Sequence, residues 1–342
     1  MAHVTVVGAG GVGTAIGVKL QEQGHKVTMV SREFAGELGT PGITTYWAAG
    51  IGCIFKPSSP YVGKLVLDSY EEWMSLARNR DNKFVMETDL KIVTKPNERI
   101  SYESQVDEFH RLDETTAVYK TYSFNPRMLL ESRVARLQKG GAKFEIRPLD
   151  VSEVKQLQEG VPLQGSDYTV EAIGLAARDL HPGLGLYPVA GVLVHYIDRG
   201  TGELRDSYMY EDEAMYVVTR PSHQGREIIL GGTFLEYIGD MSPKEKSRRA
   251  AEILRGVRKH FSERGFDSAR LGDEPKEVTI GYRPAKKGDP AIMKRGRVSV
   301  VTGFSGQGLV TNPAVARYVA EEHVGAPGRE HFWGVSLPPI PE

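Results

Sequence analysis

The chain has 342 residues, 40% hydrophobic and 25% charged, a composition typical of globular proteins with about two domains. Its 43 basic and 44 acidic residues nearly balance, so we expect no partnership with nucleic acid or an anionic membrane surface. A single cysteine, nine histidines without metal-ligand spacing, no apolar run of about 18 residues and no signal peptide predict a metal-free cytoplasmic protein.

The first predicted element is a β-branched strand that leads into Gly8-x-Gly10-x-x-Gly13. A helical pattern follows the glycines, and this order is the one that a dinucleotide site requires. Gly8 allows the turn, Gly10 lets the backbone approach a pyrophosphate, and Gly13 lets the helix pack on the strand. The helix N-terminus, at Gly11 and Val12, would direct N–H groups at the phosphates. We favour a dinucleotide site over an ordinary glycine-rich turn.

A strand predicted over Lys26–Val30 completes a β-α-β unit with the helix predicted over Thr14–Gln23. Dinucleotide folds usually place an acid for the ribose hydroxyls at the end of this strand. Here that position holds Ser31, and Arg32 and Glu33 follow it. Glu33 would then reach the ribose, and Arg32 would contact the adenine, a phosphate or the 2′-phosphate of NADP. The alternative is that both are solvated loop charges.

Further helices are predicted over Ser69–Ala77, Pro126–Gly141, Pro243–Arg264 and Asn312–Glu322. Further strands are predicted over Phe84–Thr94, Ala142–Leu149, Asp167–Gly174, Gly191–Ile197, Met215–Thr219, Glu227–Gly231 and Val298–Val301. The strands between residues 186 and 235 are short and separated by turns, which predicts an antiparallel sheet rather than another β-α-β unit.

The last strand leads into a second glycine-rich turn, 303–308, followed by a helix. Both ends of the chain therefore belong to one α/β, Rossmann-like cofactor domain, for which we expect residues 1–50, 125–185 and 275–342. An α+β substrate domain on a mixed or antiparallel sheet is expected from residues 51–124 and 186–274. Such interleaving is more typical of flavin enzymes than of NAD dehydrogenases.

Four widely spaced stretches, taken together, match the motifs of one protein family. They are Gly8–Glu33, Thr44–Gly50, Met215–Val218 with Gly231–Phe234, and Gly281–Lys287 with Gly303–Gly308. In order and spacing they resemble the FAD-dependent D-amino acid oxidase family, and most closely its fungal-type branch. The elements Gly-Tyr-Arg-Pro and Gly-Phe-Ser-x-x-Gly are fairly specific. The resemblance implies a Rossmann-like FAD-binding domain and non-covalently bound FAD.

The resemblance also implies three catalytic positions. Arg283 would clamp the substrate α-carboxylate, for which a guanidinium fork is the natural receptor. Tyr216 would add a phenol hydroxyl to the same carboxylate, and Ser305 would lie near flavin N5 or the substrate amine. The alternatives are a surface arginine in a basic loop and a buried strand tyrosine. Cys53 either forms a covalent link to the flavin or serves as a small buried apolar residue.

The cofactor contacts that the resemblance implies are mainly backbone groups and small side chains, because the ring and the backbone must touch. They are Gly8, Gly10, Gly11, Val12, Gly13, Ser31, Arg32, Glu33, Thr44, Ala48, Ala49, Gly50, Leu149, Gly174, Gly303, Ser305, Gly306, Gly308, Leu309 and Val310.

Two departures from the family bear on the substrate. Many relatives have Arg-Gly-Gln after the proline that opens the substrate sheet, whereas Val189-Ala190-Gly191 follows Pro188 here. Asp212, within an acidic cluster over 211–213, stands where mammalian-type relatives have a second tyrosine. The acidic cluster suggests a substrate with a cationic or polar side chain. The alternative is that the cluster belongs to a solvated hairpin loop. Tyr208 or Tyr210 would then supply the lid ring in place of the missing second tyrosine.

The implied function is an oxidase that moves a hydride from Cα of a D-amino acid to FAD. Its products are an imino acid, hence a 2-oxo acid and ammonia, and hydrogen peroxide, so the partners are a small amino acid or amine and O2. The alternatives are a glycine- or sarcosine-type or biosynthetic amine oxidase on the same fold, an NAD(P)-dependent dehydrogenase, and a non-catalytic nucleotide-binding protein. The oligomeric state is left open by the sequence, and a homodimer is one possibility.

Overall fold

In a computed structural model, the structure describes residues 1–36, 42–53, 59–98, 100, 102–199, 206–211, 215–236, 241–271 and 273–325. The strands are β1 (His3–Val7), β2 (Lys26–Ser31), β3 (Val85–Val93), β4 (Asp107–Arg111), β5 (Thr116–Phe124), β6 (Lys143–Ile146), β7 (Tyr168–Glu171), β8 (Tyr187–Ile197), β9 (Ser207–Tyr210), β10 (Met215–Ser222), β11 (Gly225–Gly231), β12 (Leu235–Glu236), β13 (Glu277–Ala285), β14 (Ala291–Arg295) and β15 (Val298–Thr302). The α-helices are α1 (Gly11–Glu22), α2 (Pro60–Arg78), α3 (Pro126–Lys139), α4 (Val151–Gln158), α5 (Ala177–Leu180), α6 (Pro243–Phe261) and α7 (Asn312–Tyr318).

A six-stranded sheet has the order β14-β15-β7-β1-β2-β6. β1 pairs in parallel with both β2 and β7, and β14 is antiparallel to β15. The residues Val4–Val7 of β1 are all buried, which fits a continuous apolar strand covered on both faces. Helices α1, α3 and α7 contribute to the core that covers this sheet. The α/β class expected from the sequence is confirmed.

A nine-stranded sheet has the order β12-β8-β11-β10-β9-β3-β5-β4, and β13 pairs with β8 at one side. β8, β10 and β11 are antiparallel neighbours, as expected, whereas β3 and β9 run parallel. Successive residues of β10 face opposite sides of the sheet. Tyr216 and Val218 belong to the core under α2, whereas Met215 and Val217 belong to the core under α6. This alternation decides which β10 side chains can reach the functional site.

Several helix starts follow from a polar cap and a proline. The caps are Ser59, Asn125 and Ser242, each followed by proline at the first helical position. The cap explains why α2 begins nine residues before the helix predicted over Ser69–Ala77. At the other end, α7 stops at Tyr318 and a π-helical turn follows, so the helix predicted to Glu322 is shorter than expected.

The predicted domain boundaries stay a prediction. One segment bears directly on them, because β13 lies within the stretch 275–342 yet hydrogen-bonds to β8 of the nine-stranded sheet. β13 also contains Pro284, opposite Pro188, and its side position in the sheet explains why a proline is tolerated there. None of the helices in the described ranges combines the length and apolar character needed to cross a bilayer.

Candidate functional site

A cavity of about 920 Å³ lies at the carboxyl ends of the parallel strands. Val7, Val30, Ala172 and Thr302, at or just after the ends of four of those strands, line it. In open α/β sheets this edge is where ligands bind. The cavity continues to the nine-stranded sheet, where residues of β8, β10 and β13 complete its wall. The cavity therefore lies between the two sheets.

The first glycine loop forms one end of this cavity. Gly8 has φ +104°, and a Cβ at Gly13 would lie 2.0 Å from the Gly8 carbonyl oxygen, so the helix packs directly on the strand. A Cβ at Gly10 would meet only side-chain atoms, the nearest being Thr45 Oγ1 at 3.4 Å. α1 has no side-chain cap, and the Gly11 N–H donates to Thr45 Oγ1 at 3.1 Å. This cradle of backbone N–H groups and absent side chains fits a dinucleotide pyrophosphate.

The end of β2 lines the neighbouring part of the cavity. Ser31, Arg32 and Glu33 all face it, as do Leu149 and Gly174. The Glu33 carboxylate accepts a hydrogen bond from the Gly42 N–H. Contact of Glu33 with a ribose stays a prediction.

Sequence reasoning missed Arg147 in this region. Its guanidinium lines the cavity and is held by both carboxylate oxygens of Glu153 at 2.7 Å. Its backbone N–H donates to the Ser31 carbonyl at 2.9 Å. The signal was available, because Arg147 directly follows β6, whose carboxyl end meets those of β1 and β2.

The stretch 44–50 runs along the cavity between the two sheets. Thr44–Trp47 forms a 3-10 turn, and Ala48, Ala49 and Gly50 continue along the wall. Gly50 has φ +80°, and a Cβ there would lie 1.9 Å from the Phe124 carbonyl oxygen. A larger residue would push the stretch away from β5.

Arg283 and Tyr216, on β13 and β10, come together at the other end of the cavity. Arg283 Nη1 donates to the Thr233 carbonyl at 3.1 Å, and its guanidinium carbon lies 4.4 Å from the centre of the Phe234 ring. Tyr216 is 8% exposed and packs over Gly231. Burial raises the pKa of the Tyr216 phenol, and the neighbouring Arg283 lowers it in part. The phenol therefore stays neutral and can donate a hydrogen bond.

The second glycine-rich turn lies against these residues. Ser305 has φ +50°, and its N–H donates to the Pro284 carbonyl at 3.0 Å. A Cβ at Gly306 would lie 2.9 Å from Arg283 Cδ, and a Cβ at Gly11 would lie 2.5 Å from Leu309 Cδ2. The last glycine turn thus touches both the first glycine loop and the predicted substrate clamp.

Of the predicted cofactor and catalytic residues, all but two line the cavity. Gly13 and Gly303 are the exceptions, and each is used for packing. Gly303 has φ +86° and faces Lys286 and Leu186. Contacts with FAD itself stay predictions for the whole set.

The lid proposed for Tyr208 or Tyr210 is wrong. Met209 lines the cavity, so its neighbours on β9 point to the other face of the sheet. Tyr208 packs against Phe261, and Tyr210 stacks on His260 with ring centres 4.4 Å apart. Asp212 and Glu213 lie outside the described residues.

The described lining is poor in titratable groups. Its charged side chains are Arg32, Glu33, Arg147 and Arg283, and it contains no histidine. Several apolar residues of the lining pack in one core with Tyr216, namely Cys53, Leu193 and Met209, and Ile51 packs against that core. Within the described part of the chain, no three histidine, cysteine or acidic side chains meet as a possible metal site.

Comparison with known proteins defines the class of this fold and site. Residues 3–322 match the model of the FAD dependent oxidoreductase family, and the chain belongs to that family. It is an FAD-dependent oxidoreductase, and FAD is its cofactor.

Solved structures show the same fold at low identity. Glycine oxidase from Geobacillus kaustophilus is 18% identical, with 94% of both chains covered and a TM-score of 0.69. L-proline dehydrogenase from P. horikoshii is 17% identical over 94% of this chain and 92% of that one, with a TM-score of 0.69. L-α-glycerophosphate oxidase from Mycoplasma pneumoniae, with FAD bound, is 15% identical over 93% and 94%, with a TM-score of 0.65.

Proposed function

We propose that this chain is an oxidase of an α-amino acid, with Arg283 holding the substrate carboxylate. The main support is that Arg283 and Tyr216 meet in the cavity, against the 303–308 turn. Arg283 is also the one charged group at that end of the described lining. Several of the similar structures act on amino acids or amines by their names, including glycine oxidase and iminodiacetate oxidase.

The surroundings of Arg283 suit a carboxylate. One terminal nitrogen is engaged by the Thr233 carbonyl, and the Phe234 ring covers the guanidinium, which limits its rotation. Arg283 also hydrogen-bonds to the Tyr216 side chain, and the guanidinium donors left over, with the hydrogen of the neutral phenol, would serve two carboxylate oxygens. A substrate held in this way has its Cα at a fixed distance from Arg283.

When bound, FAD would supply an acceptor for a hydride from the substrate, and O2 would take up the two electrons together with two protons to give hydrogen peroxide. The substrate is expected to bind with a neutral amine, whose lone pair assists departure of the Cα hydrogen as hydride. Cα and nitrogen then share a double bond, and water converts this imine to a 2-oxo acid and ammonia. The chain's residues orient the substrate and exclude water, which agrees with a described lining that has no histidine and one carboxylate, Glu33.

The described wall near Tyr216 favours a substrate with a neutral side chain, since Leu193 and Met209 line the cavity and pack in one core with Tyr216. Glu211 is buried and is not part of the described cavity wall. A cationic substrate drawn by Asp212 stays a hypothesis. It fails if Asp212→Ala leaves the preference among basic, neutral and acidic amino acids unchanged.

The deciding experiment is anaerobic reduction of the purified protein. We expect the visible absorbance of the oxidised flavin to bleach when one enantiomer of an α-amino acid is added, because the substrate reduces the flavin. The panel should include both enantiomers, glycine, sarcosine and the matching 2-hydroxy acids. Bleaching by glycine or sarcosine alone would favour the amine-oxidase alternative, and bleaching only by hydroxy acids would overturn the proposal.

The same proposal includes non-covalent FAD, O2 as electron acceptor, a cytoplasmic location and a cofactor domain built from both ends of the chain. Flavin that stays with the protein after acid precipitation would contradict non-covalent binding. Admitting O2 after bleaching should restore the colour and release hydrogen peroxide.

A further inference from the structure

Arg220 is a fully buried arginine that belongs neither to the Arg283–Tyr216 pair nor to the two glycine loops. It lies on β10, directly opposite Glu227 of β11. Its exposed fraction is 0%, and Nε donates to Glu227 Oε1 at 2.8 Å. Asn125 Nδ2 donates to the same oxygen at 3.1 Å. A buried charge needs such a partner, yet this pairing uses only part of the guanidinium.

The other side of the guanidinium holds the cofactor-lining stretch. Nη1 donates to the carbonyl oxygens of Ala48 at 2.6 Å and of Ala49 at 2.8 Å. Both residues line the cavity. The carbonyls belong to an irregular segment without a sheet partner for these two groups, so a charged donor here fixes the path of the backbone.

The same stretch is tied at both of its ends. Near its start, Thr45 Oγ1 accepts the Gly11 N–H, and at its end the Gly50 carbonyl accepts the Phe124 N–H at 2.8 Å. Those two bonds connect it to the first glycine loop and to β5. Arg220 supplies the attachment between them, which comes from the strand that also provides Tyr216.

β10 thereby connects the two halves of the site. Tyr216 and Arg220 are four residues apart and share one face of the strand, about 13 Å from each other at 3.3 Å per residue. Tyr216 hydrogen-bonds to Arg283, and Arg220 holds the part of the cavity wall that is predicted to contact FAD. A shift of about 1 Å between such halves is enough to slow a reaction about a hundredfold.

We propose that Arg220 is a positioning residue that sets the Ala48–Ala49 backbone against FAD and keeps it in register with Tyr216. The proposal rests on the family's cofactor and is independent of which substrate is oxidised. Arg220 touches neither reacting group and acts through the backbone that it holds.

The test compares Arg220→Lys with Arg270→Lys. Lysine keeps the charge, but its single ammonium cannot pair with Glu227 and also donate to both carbonyl oxygens as the separate nitrogens of Arg220 do. Arg270 is the matched control, because it is 6% exposed, is paired with Asp198 at 2.9 Å and lies away from the cavity wall. FAD release from diluted holoprotein, followed by flavin fluorescence, gives the dissociation constant, and urea unfolding gives stability.

We expect Arg220→Lys to raise the FAD dissociation constant about tenfold or more, and to slow anaerobic flavin reduction at saturating FAD and substrate. Arg270→Lys should lower the unfolding midpoint and leave both cofactor measurements unchanged. Equal FAD affinity and reduction rate in the two variants would overturn the proposal and leave Arg220 a purely structural residue.

A second variant keeps the test decisive if the lysine variant does not fold. Arg220→Met with Glu227→Met removes both charges, and apolar replacement of a buried ion pair is often neutral for stability. It should fold and still bind FAD weakly. Wild-type FAD affinity in this folded double variant would contradict the proposal.

Discussion

Gly191 lies directly beneath the guanidinium of Arg283, and a Cβ at residue 191 would come within 2.3 Å of Arg283 Nη2. The two residues lie on β8 and β13, which are hydrogen-bonded neighbours. The absent side chain is what lets the guanidinium lie across the sheet and into the cavity. It also gives a physical role to one of the positions where this chain departs from the D-amino acid oxidases.

Gly191→Ala should therefore impair substrate binding more than folding. The clash falls on the far end of a flexible side chain, so Arg283 moves and the backbone does not. We expect kcat/KM to fall about tenfold to a hundredfold, mainly through KM. Steady-state kinetics with the substrate found in the anaerobic panel measures this.

Gly183→Ala is the matched control, because a Cβ at residue 183 would meet nothing within 4 Å. It should retain wild-type kinetics. An unchanged KM in Gly191→Ala would mean that Arg283 does not hold the carboxylate in the position described.

Arg283→Lys should lower kcat/KM between about tenfold and a thousandfold, because an ammonium cannot make two parallel bonds to a carboxylate. The protein should remain yellow, since most of the predicted FAD contacts lie elsewhere in the cavity. Tyr216→Phe removes a single hydroxyl and should cost about tenfold at most. If both variants lose activity equally, the carboxylate is not held mainly by the guanidinium.

Two substitutions in the first glycine loop should separate the effect on cofactor binding from the effect on stability. Gly13→Ala would set a Cβ 2.0 Å from a backbone oxygen, so it should destabilise the protein by about 1–3 kcal/mol or more. Gly10→Ala meets only side-chain atoms at 3.4 Å and beyond, so stability should change by less than about 1 kcal/mol. Gly10 lines the cavity, so the added methyl group should raise the FAD dissociation constant about tenfold.

These two variants are measured by urea unfolding and by FAD titration. The expected pattern is loss of stability in one and loss of cofactor affinity without loss of stability in the other. Normal FAD affinity in Gly10→Ala would place the pyrophosphate elsewhere.

His323 predicts a pH dependence of stability. Its side chain is 5% exposed and its Nδ1 lies 2.9 Å from Ser299 Oγ. Burial, with a contribution from Lys294, lowers the pKa of His323 to about 4, against 6.5 for the unfolded chain. Between pH 6.5 and 4 the unfolded chain binds the extra proton, so stability falls as the pH drops through this window.

The shift corresponds to about 3 kcal/mol lost between pH 7 and pH 4. His323→Gln should remove this part of the pH dependence of the unfolding free energy, whereas His110→Gln, at an exposed position, should not. His195, whose burial lowers its pKa to about 2, contributes a separate slope in both variants. Parallel pH profiles for His323→Gln and the wild type would contradict the assignment.

The sequence was sufficient for features that local chemistry decides. The β-branched run before Gly8 and the spacing of the three glycines predicted β1, the turn and α1, although α1 starts at Gly11 because the loop itself forms its first turn. The orientation of β9 was not available from the sequence, because both of its sides are largely buried. Only the cavity lining shows that Met209 faces the site, which excludes Tyr208 and Tyr210 as lid residues.

Other features depend on pairings between distant segments, which no local pattern encodes. The parallel pairing of β3 with β9 joins two strands between which the five strands β4 to β8 lie in the sequence. Arg220 reads as an ordinary polar residue near a turn, and only the assembled sheets bring it to Ala48 and Ala49. The hydrogen bond from the Gly42 N–H to the Glu33 carboxylate likewise joins residues nine positions apart, and neither residue type predicts it.

The contact between Gly11 and Leu309 also has a consequence for biosynthesis. The first glycine loop can form with β1 and β2 early in translation, but its partner across the cavity is made about 300 residues later. At roughly 5–20 residues per second the ribosome needs about 15–60 s to cover that distance. Until then the apolar cavity wall is exposed, and the part of the wall that would enclose FAD on the other side is missing. We therefore expect cofactor capture to be one of the last events in the maturation of this protein.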